Sequence, residues 1–183
     1  MVDLEDIVQA QKNIASYAKQ TPLTQSRFLS ELCSGKVFLK WENQQPTHSF
    51  KIRGVINKLL SLTAEEKSRG IVTASAGNHG QAVAYGAQKL GFKAKIVVPT
   101  HAPQVKVDGI RQFGAELVLH GETYDEAEKK AKQLAAQEGR LFISPYNDPR
   151  IVAGHDGPSS SRKREAYERA SDGVPARTGT RIR

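Results

Sequence analysis

A chain of 183 residues is long enough for one substantial core, or for one domain and part of another. Its single cysteine, Cys33, excludes an intramolecular disulfide, and no apolar run approaches the roughly 20 residues that a membrane helix needs. The formal charge of +8 raises nucleic acid as a partner, but residues 155–183 alone hold 7 basic and 4 acidic groups and the other basic side chains scatter over expected helix faces, so no phosphate track is expected.

The start, with Asp3, Glu5 and Asp6, does not resemble a signal peptide, and a reducing cytoplasmic setting without a membrane partner is the simplest expectation. Leu4 to Lys19 reads as an amphipathic helix, Val37 to Trp41 as a strand, and Arg53 to Leu62 as a helix. From residue 70 onward apolar strands alternate with amphipathic helices. Strands are expected near Ile71 to Ala74, Lys95 to Val98, Glu116 to Leu119 and Leu141 to Ser144, with helices near Asn78 to Leu90, Pro103 to Phe113 and Tyr124 to Gln137. Gly91 and Gly114 stand where helices should stop, and Thr123 with Glu126 forms a capping box. That order predicts an α/β fold with a parallel, helix-covered sheet. Residues 70–148 read as a complete small α/β domain, of which about Ile71 to Ser144 could fold alone.

Two segments carry chemistry. In the first, Lys51 follows Ser49 and Phe50 and precedes Ile52, Arg53 and Gly54. A lysine at a helix start is ordinarily solvated surface. An amine that attacks an aldehyde must instead be held by a stiff neighbour and stay partly neutral, and the adjacent Phe50 can supply that packing. In the second, Ser75, Ala76, Gly77, Asn78, His79, Gly80 and Gln81 have the form strand, glycine turn, helix, whose first amides make an anion site suited to a carboxylate. An aldehyde site beside a carboxylate site suggests an amino-acid substrate. Asn78 also has a plain reading as a turn former or cap, and His79 as a capping or packing residue.

With the Ile96 to Thr100 strand end, the Asp108 to Glu116 segment and the Ser144 to Gly154 run, these make five motifs in order. Together they resemble the serine/threonine dehydratase and serine racemase group of fold-type II pyridoxal-phosphate (PLP) enzymes, over residues from about 5 to 154. The resemblance implies a tryptophan synthase β-like fold: a three-layer parallel sheet with helices on both faces. On that pattern residues 1–69 form the N-terminal part of a large domain, 70–148 the small domain, and 149–183 an incomplete return to the large domain followed by a basic tail. It further implies pyridoxal 5'-phosphate as cofactor, a homodimer or homotetramer, and loss of water from L-threonine or L-serine to give a 2-oxo acid and ammonia.

By the same resemblance Lys51 binds the cofactor covalently and then acts as general base, Phe50 packs beside the cofactor ring, and Asn78 bonds its phenolic oxygen. Ser75, Gly77, Asn78 and His79 grip the substrate carboxylate. Racemising relatives carry a serine hydroxyl where this chain has Ala76, so dehydratase is favoured over racemase. His48, His101, His120 and His155 lack metal-ligand spacing, and no metal site is expected. Glu65, Glu66, Glu126 and Glu128 read as solvated faces.

After Gly154 the family character stops. His155, Asp156, Gly157 and Pro158 lead into a segment without Leu, Phe, Trp or Met, expected to be disordered or transiently helical near Lys163 to Ala170. The family's glycine-rich phosphate loop has no counterpart, since Gly154, Gly157, Gly173 and Gly179 are isolated. The expectation is a truncated or frame-shifted product with weak or absent turnover, or a fragment that associates with full-length subunits. Reading the source DNA in its other frames tests the shift, and finding no family sequence downstream would exclude it.

Overall fold

Residues 2–155 are described by a computed structural model. The chain runs α1 (Leu4–Ile14), β1 (Leu23–Gln25), α2 (Arg27–Leu32), β2 (Phe38–Lys40), a short 3-10 turn (Glu42–Gln44), α3 (Lys51–Leu60), α4 (Ala64–Arg69), β3 (Ile71–Ala74), α5 (Asn78–Leu90), β4 (Ala94–Val98), α6 (Gln104–Arg111), β5 (Glu116–Leu119), α7 (Tyr124–Glu138) and β6 (Leu141–Phe142). Residues 149–155 are again helical.

The parallel sheet has the order β5-β4-β3-β6, with Ile71 opposite Ala94 and Leu141, and Lys95 opposite Glu116. All five residues of β4 and all four of β3 are buried, as the continuous apolar pattern of a sheet covered on both faces requires. Ile71, Ile96 and Val98 face a core built with Ile52, Val55, Ile56 and Leu59 of α3, Ala82 and Val83 of α5, and Val107 and Ile110 of α6. Val72, Ala74 and Val97 face the opposite way, onto Ala127, Ala131 and Ala135 of α7. The three layers are therefore α3, α5 and α6, then the sheet, then α7, as the fold class expected. β1 and β2 form a separate antiparallel pair, with Leu23 opposite Lys40.

Helix α3 lies within the first 69 residues, yet its apolar face is buried against α5. A methyl on Gly86 of α5 would meet Leu59 Cδ1 at 2.7 Å, so the missing side chain is what allows this approach.

Several boundaries differ from expectation for identifiable reasons. The first helix ends at Ile14 instead of Lys19 because the Lys19 backbone is captured elsewhere: its N–H donates to Gln45 Oε1 at 3.0 Å and its carbonyl accepts from Gln45 Nε2 at 2.8 Å. The last strand ends at Phe142 instead of Ser144, as the Thr73 hydroxyl takes the Ile143 carbonyl at 2.7 Å. The helix expected from Arg53 begins at Lys51. β1, α2 and α4 carry too few residues for their periodicity to stand out. Within α4, Glu66 is not simply on a solvated face: it closes a capping box with Thr63. The segment Lys163 to Ala170 lies outside the described residues.

Candidate active site

Lys51 is the first residue of α3, and Phe50 is its N-cap. Phe50 is 42% exposed, the Lys51 ammonium lies 5.1 Å from its ring centroid, and the His155 ring meets it edge-on at 5.0 Å. Partial burial holds the Lys51 amine below the ordinary lysine range. This is the direction a nucleophilic amine needs, because only the neutral form attacks a carbonyl.

The chain reaches Lys51 through a turn in which His48 adopts φ 52, a left-handed conformation uncommon outside glycine. Thr47 and Ser49 beside it are 1% and 6% exposed, and their hydroxyls have no hydrogen-bond partner among the described residues.

The second segment begins where β3 ends. Ser75 is buried and its Oγ accepts from the Gly77 N–H at 3.1 Å, shaping the turn. Gly77 is the N-cap of α5, Asn78 is the helix's first residue and is exposed, and no side chain caps the first amides. A methyl at Gly77 would meet nothing within 4 Å, so the mouth of the turn is open. At Gly80 a methyl would lie 2.5 Å from the Ser75 carbonyl oxygen, and this close approach sets the start of α5 against the strand end. Uncapped amides at the start of a 13-residue helix, with an open turn before them, suit an anion.

His79 turns inward. It is 4% exposed, and neither ring nitrogen has a hydrogen-bond partner of normal geometry among the described residues. Burial, then the Lys51 charge, lower its pKa to about 4; the Ile143 carbonyl opposes this, and His155 adds to the lowering. His79 is therefore a neutral imidazole at neutral pH, close enough to Lys51 for the two charges to compete.

The structure thus brings Lys51, Phe50 and His79 together and sets Ser75, Gly77 and Asn78 on the neighbouring turn. His155 and Glu42 are additions. His155 was read only by its lack of metal-ligand spacing, and nothing local marks it as Phe50's neighbour. Glu42 accepts from Arg53 Nε at 2.8 Å and from Arg53 Nη2 at 2.9 Å. Burial pushes the Glu42 carboxyl up, but hydrogen bonds from Arg53, Thr21 and Gln45 and the Arg53 charge outweigh it and hold the group below its usual value.

A covered parallel sheet that sets an uncapped helix start beside a weakened lysine amine defines an α/β scaffold suited to an aldehyde cofactor and an anionic substrate. Residues 14–158 match the pyridoxal-phosphate dependent enzyme family, and the chain belongs to it. The catabolic L-threonine dehydratase of Escherichia coli K12 is 44% identical over 153 residues, which cover 84% of this chain and 46% of that protein. The L-threonine ammonia-lyase of Thermotoga maritima is 46% identical over 154 residues, covering 84% of this chain and 38% of that protein. Maize serine racemase superposes with a TM-score of 0.87 at 32% identity, over 91% of this chain and 51% of that one. The chain spans 38–51% of the length of these three relatives.

The family's cofactor is pyridoxal phosphate, and the residues fit its aldehyde end. Lys51 offers an amine of lowered basicity, and the Ser75 to Asn78 turn offers open amides for an attached carboxylate.

Proposed function

We propose that this chain carries the amine-bearing and carboxylate-binding part of an L-threonine or L-serine dehydratase. The observation that carries this reading is that α3, which begins at Lys51, packs on α5, whose uncapped start follows the open turn at Gly77. The relatives named for threonine dehydration and ammonia-lyase chemistry support the same substrate class.

When bound, pyridoxal phosphate supplies a conjugated ring that withdraws electrons and so acidifies the substrate's α-hydrogen. Lys51 Nζ would hold the cofactor's aldehyde end and is the base placed to accept the substrate's α-proton. Phe50 restrains the Lys51 chain from one side. The Ser75 hydroxyl, whose oxygen already accepts from the Gly77 N–H, and the amides of Asn78 and His79 would bind the carboxylate, and the Asn78 side chain would bond the cofactor's phenolic oxygen. Partial burial alone keeps the Lys51 amine available as a base, since His79 is neutral and exerts no charge on it. Ala76 has no hydroxyl to return a proton on the opposite face, which favours elimination over racemisation. The products are a 2-oxo acid and ammonia.

The division into residues 1–69, 70–148 and 149–183 belongs to this proposal, supported by a four-stranded sheet formed wholly between residues 71 and 142. So does a reducing cytoplasmic setting, supported by the exposed free thiol of Cys33.

Titrating the chain with pyridoxal phosphate tests the reading: a saturable visible absorption band that Lys51→Ala abolishes is expected. An equal band in the variant, or none in the folded wild type, overturns it. A second reading, in which the chain docks onto full-length subunits, draws on α2, where no residue is buried and Phe28 and Leu32 stay 73% and 71% exposed. Co-purification with an intact relative is its test, and a chain that elutes alone rejects it.

A further inference from the structure

The first turn of α3 lacks the usual means of holding itself. Its N-cap, Phe50, makes no side-chain cap hydrogen bond, and the turn contains no acidic residue. An uncapped first turn frays, and a frayed turn would let its first residue wander. In α3 that first residue is Lys51.

A buried network at Arg53, two residues further on, takes the place of a cap. Arg53 is 6% exposed; its Nε donates to Glu42 Oε2 at 2.8 Å, and its Nη2 to Glu42 Oε1 at 2.9 Å and to the Lys19 carbonyl at 2.9 Å. Two parallel bonds to one carboxylate fix the plane of the guanidinium as well as its distance. Glu42 is fixed in turn by the Thr21 hydroxyl at 2.5 Å and by Gln45 Nε2 at 3.3 Å. Thr21 and Gln45 are each 1% exposed, and Gln45 clasps both backbone groups of Lys19. Lys40 adds a bond to the Thr21 carbonyl at 2.6 Å. Three stretches of chain therefore converge on one face of α3's first turn, while Lys51 projects from another: successive residues of a helix are about 100° apart, so Lys51 and Arg53 point to different sides.

We propose that Arg53 and Glu42, braced by Thr21 and Gln45, are positioning residues that set the direction of the Lys51 amine toward the Ser75 to His79 turn. This rests on the reading of Lys51 as the cofactor-binding amine. Neither Arg53 nor Glu42 needs to touch cofactor or substrate; they act by holding the turn that carries Lys51. Arg53→Lys is the discriminating change, since it keeps the positive charge but cannot form the two-pronged bond. Thr21→Val is the mild one, removing a single brace and leaving the ion pair.

The test is the rate at which Lys51 in the full chain is labelled by pyridoxal phosphate and trapped with borohydride, measured against pH by peptide mapping, with exposed Lys106 as internal reference. Wild-type Lys51 labels faster than Lys106 and with a lower pH midpoint. Arg53→Lys slows Lys51 labelling by about tenfold or more and raises its midpoint, Thr21→Val does so to a smaller degree, and Lys106 labelling is unchanged in both. Folded variants that label Lys51 at the wild-type rate and midpoint overturn the positioning role and leave the reading of Lys51 standing. A wild-type Lys51 no more reactive than Lys106 overturns both. If Arg53→Lys fails to fold, the Lys51 rate in Thr21→Val decides.

Discussion

Gly54 and Gly154 meet backbone to backbone. A methyl on Gly154 would lie 2.6 Å from Gly54 Cα, and one on Gly54 would lie 2.3 Å from the Ile151 carbonyl oxygen. The contact joins α3 to the helix at residues 149–155, and it continues outward as the edge-on packing of His155 against Phe50. Asn57 ties the same two helices, donating to the Arg150 carbonyl at 2.8 Å.

Gly54→Ala should therefore destabilise the fold. Helix propensity alone would favour alanine by about 1 kcal/mol. The clash is with backbone, which no rotamer change relieves, so a net loss of about 1–3 kcal/mol is expected, read as a lower thermal midpoint. A midpoint equal to or above the wild type would show that the two helices are not in contact.

His79 should make the fold sensitive to mild acid. Its folded pKa of about 4 lies below the ordinary histidine value of 6.5, so protons favour the unfolded chain. Its contribution is full above the unfolded value and is lost as pH falls toward the folded one, by about 3 kcal/mol when complete. Glu42 and Glu138, both held below the usual carboxylate value, lose their contributions only at lower pH. Urea midpoints at pH 7 and pH 5 should differ clearly in the wild type and much less in His79→Leu; equal differences would assign the acid sensitivity elsewhere.

Thr123→Ala should cost about 1 kcal/mol through the start of α7. Thr123 Oγ1 accepts from the Glu126 N–H at 3.3 Å, while Glu126 Oε2 accepts from the N–H groups of Thr123 at 3.2 Å and Glu122 at 2.6 Å. Urea unfolding measures the loss, and an unchanged midpoint would mean that water caps the helix equally well.

The alanine face of α7 predicts an asymmetry between positions on its two sides. Ala131 is 0% exposed against the sheet, whereas Ala136 is on the solvent side. Ala131→Leu should cost about 1–3 kcal/mol by overpacking, and Ala136→Leu should stay within about 0.5 kcal/mol. Similar midpoints for the two variants would mean that α7 is not seated on the sheet as described.

The parallel sheet was legible because β3 and β4 are covered on both faces and read as unbroken apolar runs, and because helices of 13 and 15 residues show full turns of periodicity. The start of α5 at Asn78 and the Thr123 capping box were readable for the same reason: their signals lie within a few adjacent residues. β1, α2 and α4 were not readable, since three to six residues hold too little pattern. Nor was the inward turn of His79, which depends on Ile143 and Lys51 arriving from other segments.

By itself the sequence determined the alternation of strands and helices, the lysine and glycine-turn motifs, and with them the family. These are local properties, written in periodicity and in runs of adjacent residues. Only the tertiary structure decided that Glu42, Thr21 and Lys19 converge on Arg53, that Gly54 meets Gly154, and that His79 and His155 flank the Lys51 and Phe50 pair. Each of these contacts joins residues that share no local pattern, and each forms only when the chain closes against itself and buried polar groups must find partners.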